Sequence, residues 1–193
     1  MAIFGWPLTE VGWLNLMVKS LPLTPMKDGL KDNSVEKLFV DSNDNLWVAS
    51  DNGGIARFRG DSLVYPFNND SLANYSVVSV AERSNGNLWF GTYQGGIFIQ
   101  QSDSLRRLTT ADGLPSNIIR DFLLTDDGSV WIATRNGVAV YHQGAIKSYS
   151  TSDGLSSNAT FKIIERTNGN KWIATTNGVS IWDGQSFETL TRD

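Results

Sequence analysis

Apolar residues in this chain come in short runs, separated by clusters of Asp, Asn, Ser and Gly. One stretch sets the pattern. Ile118–Leu124 reads as a strand, a, and Thr125-Asp126-Asp127-Gly128 as a turn, since Asp-Gly is a strong hairpin signal. Ser129–Thr134 follows as strand b, Arg135-Asn136-Gly137 as a second turn, and Val138–Tyr141 as strand c. His142-Gln143-Gly144 turns again before strand d, Ala145–Tyr149. The b strands, such as Leu46-Trp47-Val48-Ala49-Ser50 and Leu88-Trp89-Phe90-Gly91-Thr92, are apolar at consecutive positions. That is expected of strands covered on both faces. No unit shows the 3.6-residue spacing of an amphipathic helix, and no helix is expected.

The pattern recurs. Asp28-Gly29-Leu30, Asp70-Ser71-Leu72, Asp112-Gly113-Leu114 and Asp153-Gly154-Leu155 open four units, and Trp47, Trp89, Trp131 and Trp172 follow nineteen residues later in each. The tryptophan spacings are 42, 42 and 41. A period near forty marks units that cannot bury their own faces and stack on their neighbours. Four short antiparallel strands per unit make the fold all-β, a β-propeller of four-stranded blades. The full repeats are 28–69, 70–111, 112–152 and 153–193. Trp6 lies 41 residues before Trp47, so residues 4–25 read as strands b, c and d of an earlier, partial blade. Pro7 and Pro22 make those strands poor ladder partners. Asp193 falls where another Asp-Gly-Leu would begin. The chain is expected to be a segment of a larger propeller, an open arc or strained ring in preference to a closed five-bladed one.

The string Asp112-Gly113-Leu114-Pro115-Ser116-Asn117, then Asp127-Gly128-Ser129-Val130-Trp131-Ile132-Ala133-Thr134 and Gly137-Val138, resembles the two-component regulator propeller repeat. The second unit departs, with Ser71 for Gly and Tyr75 for Asn. The resemblance implies a sensor segment that is periplasmic or otherwise extracytoplasmic, within a hybrid histidine kinase. Its partners would be the rest of the receptor chain and an oligosaccharide or other small-molecule ligand. A homodimer formed through the receptor is compatible with it.

Composition narrows the chemistry. The net charge is −4, with Arg106-Arg107 the densest basic pair, which argues against nucleic acid as partner. Cysteine is absent, and no apolar run is long enough to cross a bilayer, so no direct membrane insertion is expected. The apolar start Met1–Trp6 has no basic residue before it and is interrupted by Glu10, unlike a signal peptide.

The repeated tryptophans read as packing between blades, Trp182 included. The Asp-rich turns read as hairpins, since a calcium loop needs more ligands. His142 is the only histidine, which leaves a triad or histidine metal site without support. No catalytic residue, metal or cofactor is expected. The b–c turns vary at their first position: Asp51, Tyr93, Arg135, Thr176. Structural positions should repeat across blades, whereas ligand contacts need not, and loops on a rigid scaffold carry function. Tyr93 and Arg135 are the leading ligand contacts, expected to face one groove rimmed by Asp51, Gln94 and Thr176. Ligand sensing is the leading function. A protein-docking propeller of a surface or secretion complex is the alternative, and a propeller lyase or hydrolase the third.

Overall fold

The computed structural model describes residues 29–59, 62–67, 71–101 and 104–192. They form four antiparallel sheets of four strands, each sheet in chain order. The first blade holds β1 (Val35–Val40), β2 (Leu46–Ser50), β3 (Gly54–Arg59) and β4 (Ser62–Val64). The second holds β5 (Val77–Glu82), β6 (Leu88–Thr92), β7 (Ile97–Gln101) and β8 (Ser104–Leu108). The third holds β9 (Ile119–Leu124), β10 (Val130–Thr134), β11 (Gly137–His142) and β12 (Ala145–Tyr149). The fourth holds β13 (Thr160–Glu165), β14 (Lys171–Thr175), β15 (Gly178–Trp182) and β16 (Phe187–Leu190). The expected blade grammar holds. The partial blade expected over residues 4–25 lies outside the described residues.

Three apolar clusters fill the three interfaces between successive blades. Each is built around the strand-b tryptophan of the earlier blade. Trp47 stacks on Phe67 at 6.4 Å and meets Phe90 of the second blade at 6.0 Å. Trp89 takes Tyr141 of the third blade edge-on at 5.0 Å. Trp131 lies parallel to Tyr149 at 6.1 Å, with Trp182 of the fourth blade at 6.3 Å. Trp182 is thus a packing residue, as read from the sequence. Burying a large apolar side chain is worth roughly 1.5–3 kcal/mol, so these anchors dominate each interface.

Trp172 departs from the expectation of four equivalent buried tryptophans. It holds the same place on its strand but is only half-buried, with the Arg166 guanidinium 5.5 Å from its ring. Its face of the fourth blade has no described neighbour. Leu38 (59% exposed) and Val40 (51%) mark the matching free face of the first blade. The described residues form an open arc.

Short 3-10 turns, where no helix was expected, open the later units: Ser71–Asn74, Thr110–Asp112 and Thr151–Asp153. They explain the Asp-Gly-Leu motif. Thr109 caps the turn by accepting from the Ala111 N–H, and Asp112 reaches back to accept from the Thr109 N–H at 2.8 Å. Ser150 and Asp153 repeat this capping box. Gly113 and Gly154 then take the left-handed conformation, φ 104° in both, that L side chains avoid. Leu72, Leu114 and Leu155 plug the core behind them.

Candidate functional site

The b–c turns are anchored identically. The backbone N–H of Asp51, Tyr93, Arg135 and Thr176 donates to the carbonyls of Ser34, Ser76, Ile118 and Ala159, just before each inner strand, at 2.9–3.1 Å. The first turn position is therefore structural in its backbone and free in its side chain. In the first blade the left-handed residue of this turn is Gly54, and in the second blade both Gln94 and Gly96 are left-handed. Gly96 and Gly137 donate onward to the carbonyls of Asn117 and Asn158, at 2.8 and 2.6 Å, tying each turn to the lead-in of the next blade. The same asparagines accept from Thr110 and Thr151 through their side chains. Tyr75, which replaces this asparagine in the second unit, instead packs on Phe98 at 5.7 Å and accepts from Arg107.

Next to these turns every inner strand carries a register shift. The shifts fall between Val35 and Lys37, Val77 and Ser79, Ile119 and Asp121, and Thr160 and Lys162. One residue per blade is left outside the ladder: Glu36, Val78, Arg120 and Phe161. A bulge of this kind re-aims a side chain. Val78, Arg120 and Phe161, with Tyr93, Ile118 and Ile119, line a cavity of about 270 Å³ at the inner edge of the second to fourth blades. A crevice between the first two blades, lined by Ile55, Phe67 and Leu72 among others, has no room for a water.

Of the five residues singled out from the sequence, Tyr93 alone lines the cavity, and it is 47% exposed. Arg135 is exposed one residue beyond β10, its N–H on the carbonyl of the lining residue Ile118. Gln94 is exposed, with φ 79°. Thr176 pairs its hydroxyl with Ser157 at 2.6 Å, and the Asp51 carboxylate accepts from the Asn52 amide at 3.4 Å. Val78, Ile118, Ile119, Arg120 and Phe161 were not singled out. Their only signal was positional: Glu36, Val78, Arg120 and Phe161 recur at 42, 42 and 41 residues, with no shared chemistry to draw the eye.

Arg120 is the charged group of the cavity. Its guanidinium lies 4.6 Å from the Phe161 ring centre, a cation–π distance. Its Nε is buried without an acceptor, a condition shared among the described residues with Arg57, which stacks on Trp47 away from the cavity. The neighbouring carboxylate, Asp121, is engaged elsewhere. It accepts from the Ile163 N–H at 3.0 Å and from Lys162 Nζ at 2.8 Å, across the third interface.

The acidic turns are occupied by their own architecture. Asp41 accepts from the Trp47 indole at 2.8 Å and from the Asn43 and Asn45 backbones. Burial pushes its carboxyl up, but the Trp47 and Asn45 hydrogen bonds outweigh that and hold it below the ordinary value. Hydrogen bonds from Thr125 and Ser129 bring Asp127 down to about 2. His142 Nδ1 shares a 2.9 Å hydrogen bond with Ser129 in the same turn region.

Four antiparallel blades, stacked face to face with variable loops at the inner edge, define a β-propeller segment. Residues 29–52, 71–94 and 113–136 match the two-component regulator propeller family, so these three segments are repeats of that kind. The fourth blade, outside those matches, has the same strand order. No curated protein matches the chain by sequence. Among solved structures, it resembles the extracellular domain of a hybrid two-component system from B. thetaiotaomicron, with TM-score 0.69 and 17% identity over 88% of this chain and 26% of that one. A second such domain from B. thetaiotaomicron gives 0.57 and 22%, over 84% and 29%. Virginiamycin B lyase from Staphylococcus aureus gives 0.63 and 15%, over 84% and 57%. At these identities the likeness is one of fold, and the chain spans about a quarter of the two-component domains. Among the described residues no helix is long and apolar enough to cross a membrane.

Proposed function

We propose that this chain is the ligand-sensing propeller segment of a two-component receptor, outside the cytoplasm, and that the face bearing the b–c turns captures an oligosaccharide. The repeat family and the extracellular two-component domains of like fold support the receptor role. The observation that carries the ligand reading is Tyr93. It is a half-exposed aromatic on a turn whose backbone is pinned, and it opens onto the cavity between inner strands. Such a ring stacks on the apolar face of a sugar and offers its hydroxyl as a hydrogen-bond donor. Signalling then follows if the ligand prefers one of two receptor states.

Calorimetric titration against a panel of polysaccharide fragments tests this. A fragment should bind, and Tyr93→Ala should weaken it at least about fivefold, close to the loss of one hydrogen bond. Binding that ignores Tyr93→Ala would move the site off this face. A panel without a binder would favour a protein-docking propeller.

A further inference from the structure

The register shifts of the inner strands occur at one equivalent place in each blade, and the backbone pairing beside that place repeats. The ladder resumes with the same pairing, and the b–c turn is tied by the same hydrogen bond. The residue left outside the ladder is not uniform: Glu36, Val78, Arg120, Phe161. Packing between blades explains repetition, and it does not explain this variation. Three of the four side chains meet in one cavity.

Their chemistry is complementary to a particular kind of group. Among the described residues Arg120 has no carboxylate partner; the neighbouring Asp121 is held by Lys162 and Ile163. Phe161 lies against its guanidinium and Tyr93 stands at the rim, so a charged fork sits among aromatic and aliphatic walls. A planar guanidinium binds a carboxylate through two parallel hydrogen bonds, and aromatic walls accept the apolar face of a ring. The site is an open pocket of about 270 Å³, a little below the usual size of small-molecule pockets, room for one ring and its substituent. We propose that the bulge residue is the position through which the second, third and fourth blades address the ligand, and that Val78, Arg120 and Phe161 hold a carboxylate-bearing ring, the acidic unit of an oligosaccharide. The proposal rests on the oligosaccharide reading above and adds the charge of the ligand and the residue that selects it.

The test is calorimetry on the full chain with three probes: a glucuronate-containing disaccharide, its methyl ester, and benzoate. The acid should bind at least about tenfold more tightly than the ester, as a charge-assisted pair requires. Arg120→Met should erase that preference while leaving residual binding equal for acid and ester. Arg120→Lys, which keeps the charge and loses the fork, should fall between, and it guards against a folding defect in the methionine variant. Circular dichroism should show both variants folded. Equal binding of acid and ester by the wild type would overturn the acidic ligand but leave the oligosaccharide reading standing. A preference for acid that survives Arg120→Met would place the carboxylate elsewhere and overturn the role of the bulge. Arg120-dependent binding of benzoate, with none of the disaccharide, would make the pocket one for aromatic acids and overturn both readings. Failure of all three probes would overturn the proposal as well.

Discussion

The third and fourth blades share a ladder and differ in their surroundings. β10 pairs with β9 and β11 in the register that β14 keeps with β13 and β15, down to the bulge. Trp131 and Trp172 stand second in their strands. Trp131 is 6% exposed under Tyr149 and Trp182, whereas Trp172 is half-buried beside Arg166. The strand pattern and its turns set the pairing within a blade. The next blade alone sets the burial. A blade is therefore complete in its hydrogen bonding before it is complete in its core, and stability lives at the interfaces.

The largest effect should separate the two tryptophans. Trp131→Ala should cost about 3–5 kcal/mol in urea denaturation, the usual range for a large buried aromatic. Trp172→Ala should cost under about 1.5 kcal/mol, because its free face gives up less. Equal costs would mean that Trp172 is covered in solution.

The next contrast lies at the bulge-flanking pair across the third interface. Asp121→Ala strands the buried Ile163 N–H and should cost about 1–3 kcal/mol. Lys162→Ala removes a largely exposed partner of the same ion pair and should cost under about 1 kcal/mol. Chemical denaturation of the two variants gives the ratio, and a larger loss for Lys162 would reverse this account.

The caps should show no contrast, since they are local. Thr109→Ala and Ser150→Ala should each cost about 1 kcal/mol, within a few tenths of each other, by thermal unfolding. A clear difference would mean that the capping boxes depend on the neighbouring blade.

The smallest effect is one of pH. The turn of the third blade holds Asp127, and the equivalent turn of the fourth holds Asn168, which accepts from Asn170 in the same way that Asp127 accepts from Ser129. The Asp127 carboxyl is lowered from 3.8 to about 2 by the Thr125 and Ser129 hydrogen bonds. A depressed folded-state value adds stability above the ordinary carboxylate range, and that stability is lost as pH falls toward 2. NMR titration of the Asp127 carboxyl should give a midpoint near 2, and Thr125→Ala should raise it. Asp127→Asn should copy the fourth blade and remove this share of the acid sensitivity. An unshifted midpoint would show the turn to be open in solution.

The repeat and its strands were legible in the sequence because spacing carries them. β12 was read to the residue, and β9 begins one residue later than its apolar run. The 3-10 turns were missed although Thr109-x-x-Asp112 and Ser150-x-x-Asp153 spell a capping box, because no apolar periodicity follows them. The half-burial of Trp172 was illegible for a different reason: it depends on what lies beside the blade. Tyr93 stands out in the sequence because it opens a turn whose first position varies, whereas Arg120 sits inside an ordinary strand pattern.

The bulge also bears on how such a scaffold changes over generations. A residue outside the ladder takes no part in strand pairing, so its replacement leaves the hydrogen-bonded framework and the tryptophan anchors intact. Glutamate, valine, arginine and phenylalanine already occupy that place in successive blades. The inner lining can therefore drift one blade at a time, acquiring new chemistry by single substitutions while the arc around it stays the same.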